Sequence, residues 1–486
     1  MRRFHRPAAR IVPGRNRRSG RLVHPRGWIR RHWLASSVAS GLIVAVVMLL
    51  WRPWQPDPPA SPCGPGLTPI GTAPYVCVGL NLDTTEFKHD DPLSDLRQRL
   101  DQLNSAVGDQ FATVVLLDNM TPDPESDSDD LGTLRHRIEG ALTAVWRANR
   151  TTVAGGNKPR IKLLLASYGS RAESWQLAVE EIKRAVQTEH IVAVTGIGQS
   201  RHETRQAVAA LSTAGIATVG SVVTADDMNN DPAGRQIENF VRVAPTNTDQ
   251  ARAALSFITS NDYRRVMLIQ DVNEAESYVR TLASAFASAY KSQYAAPIRY
   301  TESYRSPSGK IKGSDRGEHM ADQFAGMHSD MCATRPDAIY FAGRSADLKS
   351  FMKAMSDGGA CGFTSLNVVT GDDASNLVGA KLPGSDHLSF EVFYTALAHA
   401  GQWSGPTAGS ANRSNYNEFV KAFTEVGFLE PDLSDGHAMM SHDAALTAIT
   451  TVRRNSVALT DPSTVGAYFL RGLLKTLQHK LLRISI

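Results

Sequence analysis

The sequence predicts an α/β protein with two doubly wound, Rossmann-like lobes, preceded by one transmembrane helix. Three observations lead to this fold class. The chain has 486 residues, which is too long for one domain of average size. Apolar, β-branched runs alternate with helical patterns over about 300 residues of it. One uncharged apolar segment near the N-terminus is long enough to cross a bilayer.

Residues 1–33 form an Arg-rich arm. This arm contains eleven Arg and no Asp or Glu, although the formal net charge of the whole chain is only +4. The rest of the chain therefore holds 41 of the 52 basic residues and all 48 acidic residues, a net charge of −7. A basic arm beside an acidic body does not match a nucleic-acid-binding fold, so we predict no nucleic-acid partner.

The arm is followed by a candidate membrane anchor at residues 34–51. Its sequence "LASSVASGLIVAVVMLL" carries no charge and lies between Trp33 and Trp51, as in a membrane-interface belt. The Arg excess before it predicts a single-pass cell-membrane protein with a cytoplasmic N-terminus and an extracytoplasmic body. Two alternatives stay open. In the first, the segment is a cleaved signal peptide, although no A-x-A site follows it. In the second, "RRHWLA" is a twin-arginine export signal.

Residues 52–74 contain eight prolines, which predicts an extended stalk between the membrane and the body. Everything after this stalk belongs to the predicted lobes.

The four cysteines all follow the predicted anchor, in a compartment that is expected to be oxidising. They allow three pairings, of which we predict the pairing of neighbours, Cys63–Cys77 and Cys332–Cys361. Cys332 and Cys361 each precede a predicted strand, and parallel strands would bring both to one sheet edge. No C-x-x-C spacing occurs, so we predict no metal site and no cofactor.

Ten apolar runs in the body are predicted strands, and most are separated by helical patterns such as "SWQLAVEEIKRAV". The runs are 75–80, 111–118, 161–166, 191–196, 216–222, 266–271, 298–304, 338–343, 367–372 and 388–394. Strands that are apolar throughout predict parallel sheets covered on both faces. In such sheets ligands bind beyond the carboxyl ends of the strands, so the residues that follow the runs are the candidate site.

The stretch "TGIGQSRHE" after the run at 191–196 is a glycine turn at the start of a predicted helix. Arg201 replaces the third glycine of a dinucleotide fingerprint, and no P-loop lysine is present, so a nucleotide site is excluded. Two interpretations of Ser200 are compatible with each other, and we predict both. Ser200 and Glu203 form a capping box, and the hydroxyl and the free helix amides bind a small anion such as a carboxylate.

Five segments in this order resemble the type I periplasmic solute-binding proteins, above all the branched-chain amino acid binding proteins, over roughly residues 111–454. They are "VAVTGIGQSRHETRQAVAALSTAGIATVGSVVTADD", "FVRVAPTNTDQARA", "VMLIQDVNEAESYVRTLASAF", "PDAIYFAGRSADLKSFMKAMSDGG" and "NVVTGDDAS". The resemblance implies two lobes, joined by three crossovers, that close on a ligand in the cleft between them. Lobe 1 would comprise 75–245 and about 396–455, and lobe 2 would comprise 246–395 and about 456–486.

The resemblance also implies five ligand-binding residues. Ser200 matches the serine that binds the ligand carboxylate, and Thr224 matches a threonine that contacts the amino acid head group. Tyr278 matches a tyrosine that follows a strand of the second lobe. Asp372 matches an acidic residue that pairs with the ammonium group, and Phe341 lies near an aromatic contact. Hydroxyl donors for a carboxylate and a carboxylate for an ammonium make a zwitterion clamp.

The predicted function is capture of a small amino-acid-like ligand outside the cytoplasm, for delivery to an ABC importer. The alternative is a membrane-anchored receptor ectodomain on the same fold that acts through a signalling partner. An enzyme is not predicted, because the chain contains neither G-x-S-x-G nor H-E-x-x-H. Departures from the family include an added unit at 75–108 and an atypical C-terminal segment.

Overall fold

The computed structural model describes residues 62–454, apart from 73, 84, 90–91, 125, 308–312, 360, 385–386 and 406–408. The Arg-rich arm, the predicted anchor, residues 52–61 and 73 of the predicted stalk and residues 455–486 lie outside the described residues. Within the described part of the chain, no helix has the length and apolar character needed to cross a membrane.

The body contains twelve strands and eleven helices among the described residues. The strands are β1 Leu67–Ile70, β2 Val76–Leu80, β3 Phe111–Asp118, β4 Arg160–Ser167, β5 Ile191–Gly196, β6 Ala217–Gly220, β7 Phe240–Arg242, β8 Val266–Asp271, β9 Tyr300–Tyr304, β10 Ala338–Ala342, β11 Ser365–Thr370 and β12 Ser389–Tyr394. The helices are α1 Ser94–Ser105, α2 Leu131–Arg150, α3 Trp175–Ala185, α4 His202–Thr213, α5 Asn247–Ser260, α6 Ser277–Tyr294, α7 Gly313–Thr334, α8 Ser345–Gly358, α9 Ala400–Ser404, α10 Ser410–Val426 and α11 His437–Arg454.

The first lobe is built on a sheet with the strand order β1-β2-β4-β3-β5-β6-β7. Strands β3 to β7 are parallel and apolar on both faces. In β3, Val114 and Leu116 pack in the core under α2 and α11, whereas Val115 and Leu117 pack on the opposite face. This alternation is what a strand buried on both sides requires, and it confirms the predicted covered parallel sheet.

The edge of this sheet differs from the prediction. β1 and β2 form an antiparallel hairpin, and β2 is also antiparallel to β4. The connection at 71–75 is too short for the crossover that parallel strands need, so the chain turns back on itself. Because β1 lies within 52–74, the C-terminal bound of the predicted stalk is corrected: residues 67–70 belong to the folded body.

The second lobe is built on a five-stranded sheet with the order β12-β11-β10-β8-β9, and every pairing in it is parallel. One face packs on α7 and α8, and the other packs on α5 and α6. The chain crosses between lobes at 243–246 and again at 395–399, after which α10 and α11 return to the core of the first lobe. Gly140 of α2 permits this return, since a Cβ there would lie 2.0 Å from the backbone oxygen of Ala438.

Both predicted disulfides are present. Cys63 is bonded to Cys77, with a Cα–Cα distance of 5.8 Å, and this bond ties the segment before β1 to β2. Cys332, in α7, is bonded to Cys361, just before β11, with a Cα–Cα distance of 5.1 Å. Both distances lie within the range of about 4.4–6.8 Å that disulfides usually span.

We expect mass spectrometry of a non-reduced digest to recover two cross-linked peptide pairs, one for each of these bonds. Reduction before digestion should abolish both pairs and serves as the control. A peptide that joins Cys332 to either Cys63 or Cys77 would contradict this pairing.

Candidate functional site

The candidate site lies where the two lobes meet at the carboxyl ends of their parallel strands. Residues that follow β5 and β6 in the first lobe face residues that follow β8, β10 and β11 in the second. The lobes are in direct contact here. The backbone amide of Tyr278 donates to the backbone carbonyl of Ser200 at 3.2 Å, and the backbone amide of His202 donates to the backbone carbonyl of Ala275 at 3.4 Å. This is the edge at which ligands bind in open α/β sheets.

Three of the predicted residues form a hydrogen-bonded chain across this interface. Ser200 Oγ accepts hydrogen bonds from the backbone amides of Thr224, at 2.9 Å, and Ala225, at 3.1 Å. Thr224 Oγ1 donates to Asp372 Oδ1 of the second lobe at 3.3 Å. Among the described residues none accepts the Ser200 hydroxyl hydrogen.

The capping-box interpretation of Ser200 is corrected by the structure. Helix α4 begins at His202, one residue later than that interpretation requires. The Arg201 amide donates to Thr204 Oγ1 at 2.9 Å, so Thr204 takes the place assigned to Glu203. The displaced start turns Ser200 away from the helix amides and toward the loop at 224–225.

The glycine turn itself has a steric role. Gly198 has φ +60°, and a Cβ there would lie 2.0 Å from Tyr168 Oη. Tyr168 occupies that space and donates to the Ile197 carbonyl at 3.2 Å. A glycine is therefore required by both the backbone conformation and the close packing.

Asp372 is buried and is held by Gln250. Its Oδ1 accepts from Gln250 Nε2 at 2.8 Å, and its backbone amide donates to Gln250 Oε1 at 2.9 Å. Burial raises the pKa of the Asp372 carboxyl to about 7, although the hydrogen bond from Gln250 opposes this. Within the part of the chain that the structure describes, no Arg or Lys forms an ion pair with it. Asp372 is thus a buried acid that no described Arg or Lys neutralises.

Tyr278 lies in the first turn of α6 and supports the second-lobe side of the cleft. Its hydroxyl accepts from the backbone amide of Asp373 at 3.2 Å, and the guanidinium of Arg344 lies 4.5 Å from the centre of its ring. Gly371 is needed beside it, because a Cβ there would lie 2.2 Å from the Tyr278 hydroxyl. Tyr278 therefore positions the groups that follow β10 and β11.

The predicted ligand contact by Phe341 is corrected. Phe341 is fully buried in the core under α7 and α8, with its ring 5.8 Å from that of Tyr304 and 5.6 Å from that of Phe351. β10 is a central strand, so its side chains alternate between two cores and none faces the cleft before Gly343.

A buried ion network, which the sequence analysis did not single out, completes the interface. Glu276 pairs with Arg201 of the first lobe at 2.6 Å and with Arg344 of the second at 3.1 Å. Arg344 also pairs with Asp373 at 2.9 Å and donates to the carbonyl of Ser200 at 3.3 Å. All four charged side chains are at most 7% exposed, so the pairs are removed from water.

The charges in this network explain the protonation of its central acid. Burial alone would raise the pKa of Glu276, but Arg201, Arg344 and Arg171 outweigh burial and lower that pKa to about 2. Glu276 is therefore ionised and pairs with arginines.

The sequence position of these charged residues could have indicated the network. Arg344 follows Gly343 directly, and Asp373 lies two residues after Gly371, so both lie just after strands of the second lobe.

No family model matches the chain, and no curated protein matches its sequence. Several solved structures have the same fold. A leucine-binding protein from Thermotoga maritima superposes with a TM-score of 0.52 at 18% identity, covering 74% of this chain and 87% of that one. A branched-chain amino acid transporter substrate-binding protein from Streptococcus pneumoniae, in complex with isoleucine, gives 0.52 at 15% identity, covering 74% and 87%.

A third structure, an ABC transporter solute-binding protein from R. palustris in complex with 4-hydroxybenzoate, gives 0.50 at 14% identity, covering 74% of this chain and 84% of that one. The architecture is thus that of the type I periplasmic solute-binding proteins, as the sequence resemblance implied. The first of these neighbours is a leucine-binding protein, and the other two are substrate- or solute-binding proteins of transporters.

Proposed function

We propose that this chain is a membrane-anchored, extracytoplasmic solute-binding protein that captures a small amino-acid-like ligand between its lobes and delivers it to an ABC importer. The observation that carries this proposal is the chain of contacts from Ser200 through Thr224 to Asp372. This chain of contacts supports the proposal because it joins, at the interface between the lobes, a hydroxyl and a carboxylate for which the described residues offer no hydrogen-bond acceptor and no ion-pair partner, respectively.

The charge distribution supports a ligand that carries both a carboxylate and an ammonium group. Leucine, isoleucine and 4-hydroxybenzoate, named with the neighbouring structures, all possess a carboxylate. In this chain the Ser200 hydroxyl would donate to that group. An ammonium group would pair with Asp372, because Glu276 and Asp373 are already paired with arginines.

The proposed route of entry is separation of the lobes. The two described crossovers, 243–246 and 395–399, are short segments about which the lobes can rotate. Opening would break the contacts of Ser200 with Tyr278 and Arg344 and admit the ligand.

The comparisons give no support to the alternative of a receptor ectodomain with a signalling partner. The proposed membrane anchor is inferred from the N-terminal sequence.

Calorimetric titration of the purified chain with amino acids should identify a ligand and then separate the two recognition groups. Asp372→Asn should weaken binding of the ammonium-bearing ligand about ten- to a hundredfold, which corresponds to about 1.5–3 kcal/mol for a charge-assisted contact. Ser200→Ala should weaken binding of any carboxylate ligand by a similar factor, because a hydroxyl that donates to an ionised carboxylate also makes a charge-assisted hydrogen bond.

Asp322→Asn, an exposed change on α7 that is matched in chemistry, should leave the affinity unchanged. The zwitterion clamp is wrong if Asp372→Asn binds the identified amino acid as tightly as the natural chain. The proposed function fails if no amino acid or small carboxylate binds at all.

A further inference from the structure

A second cluster of chemically active side chains lies in the first lobe, outside the cleft. His136 and Glu139 are three residues apart on α2, so they lie on one face of that helix. Asp432 lies opposite them, in the short 3-10 helix Glu430–Leu433 that connects α10 to α11. One candidate ligand atom from each of the three residues lies within 4.8 Å of the other two.

The imidazole of His136 is oriented as in a metal-binding histidine. Its Nδ1 lies 2.6 Å from Asp435 Oδ2, and this short contact directs the ring proton to that carboxylate. Its Nε2 faces Asp432, whose Oδ1 is 3.7 Å away and too distant for a hydrogen bond. Histidines that bind metals usually donate their other ring N–H to a carboxylate in this way.

Glu139 provides an independent indication of a missing partner. Its side chain is 1% exposed, and Oε1 lies 3.0 Å from Arg135 Nε. The other oxygen, Oε2, is buried and has no hydrogen-bond partner among the described residues. An unpartnered buried carboxylate oxygen is unfavourable, and a bound cation would satisfy it.

The spacing also fits an ion. Two ligands of a tetrahedral zinc ion, at bond lengths of about 2.0–2.1 Å, are about 3.3 Å apart. The 3.7 Å between His136 Nε2 and Asp432 Oδ1 is close to that separation, so a small side-chain movement would suffice. His136 is 18% exposed and Asp432 is 27% exposed, which leaves a path for the ion and for water as a fourth ligand.

We propose that His136, Glu139 and Asp432 bind one divalent transition-metal ion, with Asp435 orienting the histidine. One imidazole and two carboxylates suit zinc best. The ion would cross-link α2 to the segment that connects α10 and α11. Cysteine spacing could not indicate such a site, and the site is independent of the function proposed for the cleft. A second trio, His328, Cys332 and Cys361 of the second lobe, is not a competing site, because its cysteines form a disulfide.

The test is equilibrium dialysis of the tag-free full-length chain against buffered zinc chloride, with the bound metal measured by mass spectrometry. We expect one zinc ion per chain. Asp432→Asn and His136→Gln should each weaken binding at least tenfold. Both positions are partly exposed, and circular dichroism should show that both variants remain folded.

Glu430→Gln is the matched control, since it removes an exposed carboxylate from the same turn but outside the cluster. It should bind zinc as the natural chain does, and zinc should raise its Tm as it raises that of the natural chain. Zinc should not raise the Tm of the Asp432→Asn variant. The proposal is overturned if the natural chain binds no zinc, or if Asp432→Asn and His136→Gln retain its affinity.

Discussion

Replacing Arg344 with Met should lower the free energy of unfolding by about 3–5 kcal/mol, because it leaves buried carboxylates without their cation. Arg344 is 5% exposed and pairs with Glu276 at 3.1 Å and Asp373 at 2.9 Å. Arg201 still pairs with Glu276 in the variant, so Asp373 bears most of the loss. Urea denaturation followed by circular dichroism measures the change.

Two further variants separate the buried network from a general effect of losing a positive charge. Lys353→Met, on the same helix α8, removes an exposed pair with Asp357 and should change the stability by less than about 1 kcal/mol. Adding Asp373→Asn to Arg344→Met should recover part of the loss, since it removes the unpaired charge. An Arg344→Met variant as stable as the natural chain would show that this network does not hold the lobes as described.

The stability of the chain should also depend on pH through Asp372. Burial raises the pKa of this carboxyl from its ordinary value of 3.8 to about 7 in the folded chain. Between these pH values the folded state binds more protons than the unfolded state does. The stability that Asp372 contributes is therefore fully present below pH 3.8 and is lost as the pH rises through about 7.

Asp372→Asn removes this titration. Its free energy of unfolding, relative to the natural chain, should increase between pH 4 and pH 7 by an amount on the order of 4 kcal/mol, from about 1.36 kcal/mol per pKa unit. Thr224→Val is the control, because it deletes a hydrogen bond to Asp372 but keeps the carboxyl and should keep the slope of the natural chain. Parallel pH profiles for Asp372→Asn and the natural chain would contradict the prediction.

Much of the fold was predictable because its signals are local in sequence. Apolar runs such as those of β3 and β10 are buried on both faces, and that burial leaves a continuous hydrophobic pattern in the chain. The short link between β1 and β2 also indicated an antiparallel hairpin. The many prolines of 52–74 led instead to the prediction of an extended stalk. The pairing of neighbouring cysteines followed from the same order of elements.

The candidate site was predictable only in part. Ser200, Thr224 and Asp372 lie together as the resemblance implied, because strand ends in parallel sheets converge on one edge. Phe341 was assigned to the wrong environment, since β10 is a central strand whose side chains are buried in a core on either face. The capping role of Ser200 failed because the helix start is displaced by one residue.

By itself, the sequence determined the alternation of strands and helices, the positions of the turns and the order in which polar groups follow the strands. These depend on hydrophobic periodicity and backbone preferences, which neighbouring residues specify. Only the tertiary structure decided which charges meet. Arg201, Glu276 and Arg344 come from separate elements of two lobes, and all strands from β4 to β12 lie between His136 and Asp432 in the sequence. Coulomb and metal-ligand contacts depend on distances of a few ångströms, and chain folding sets those distances.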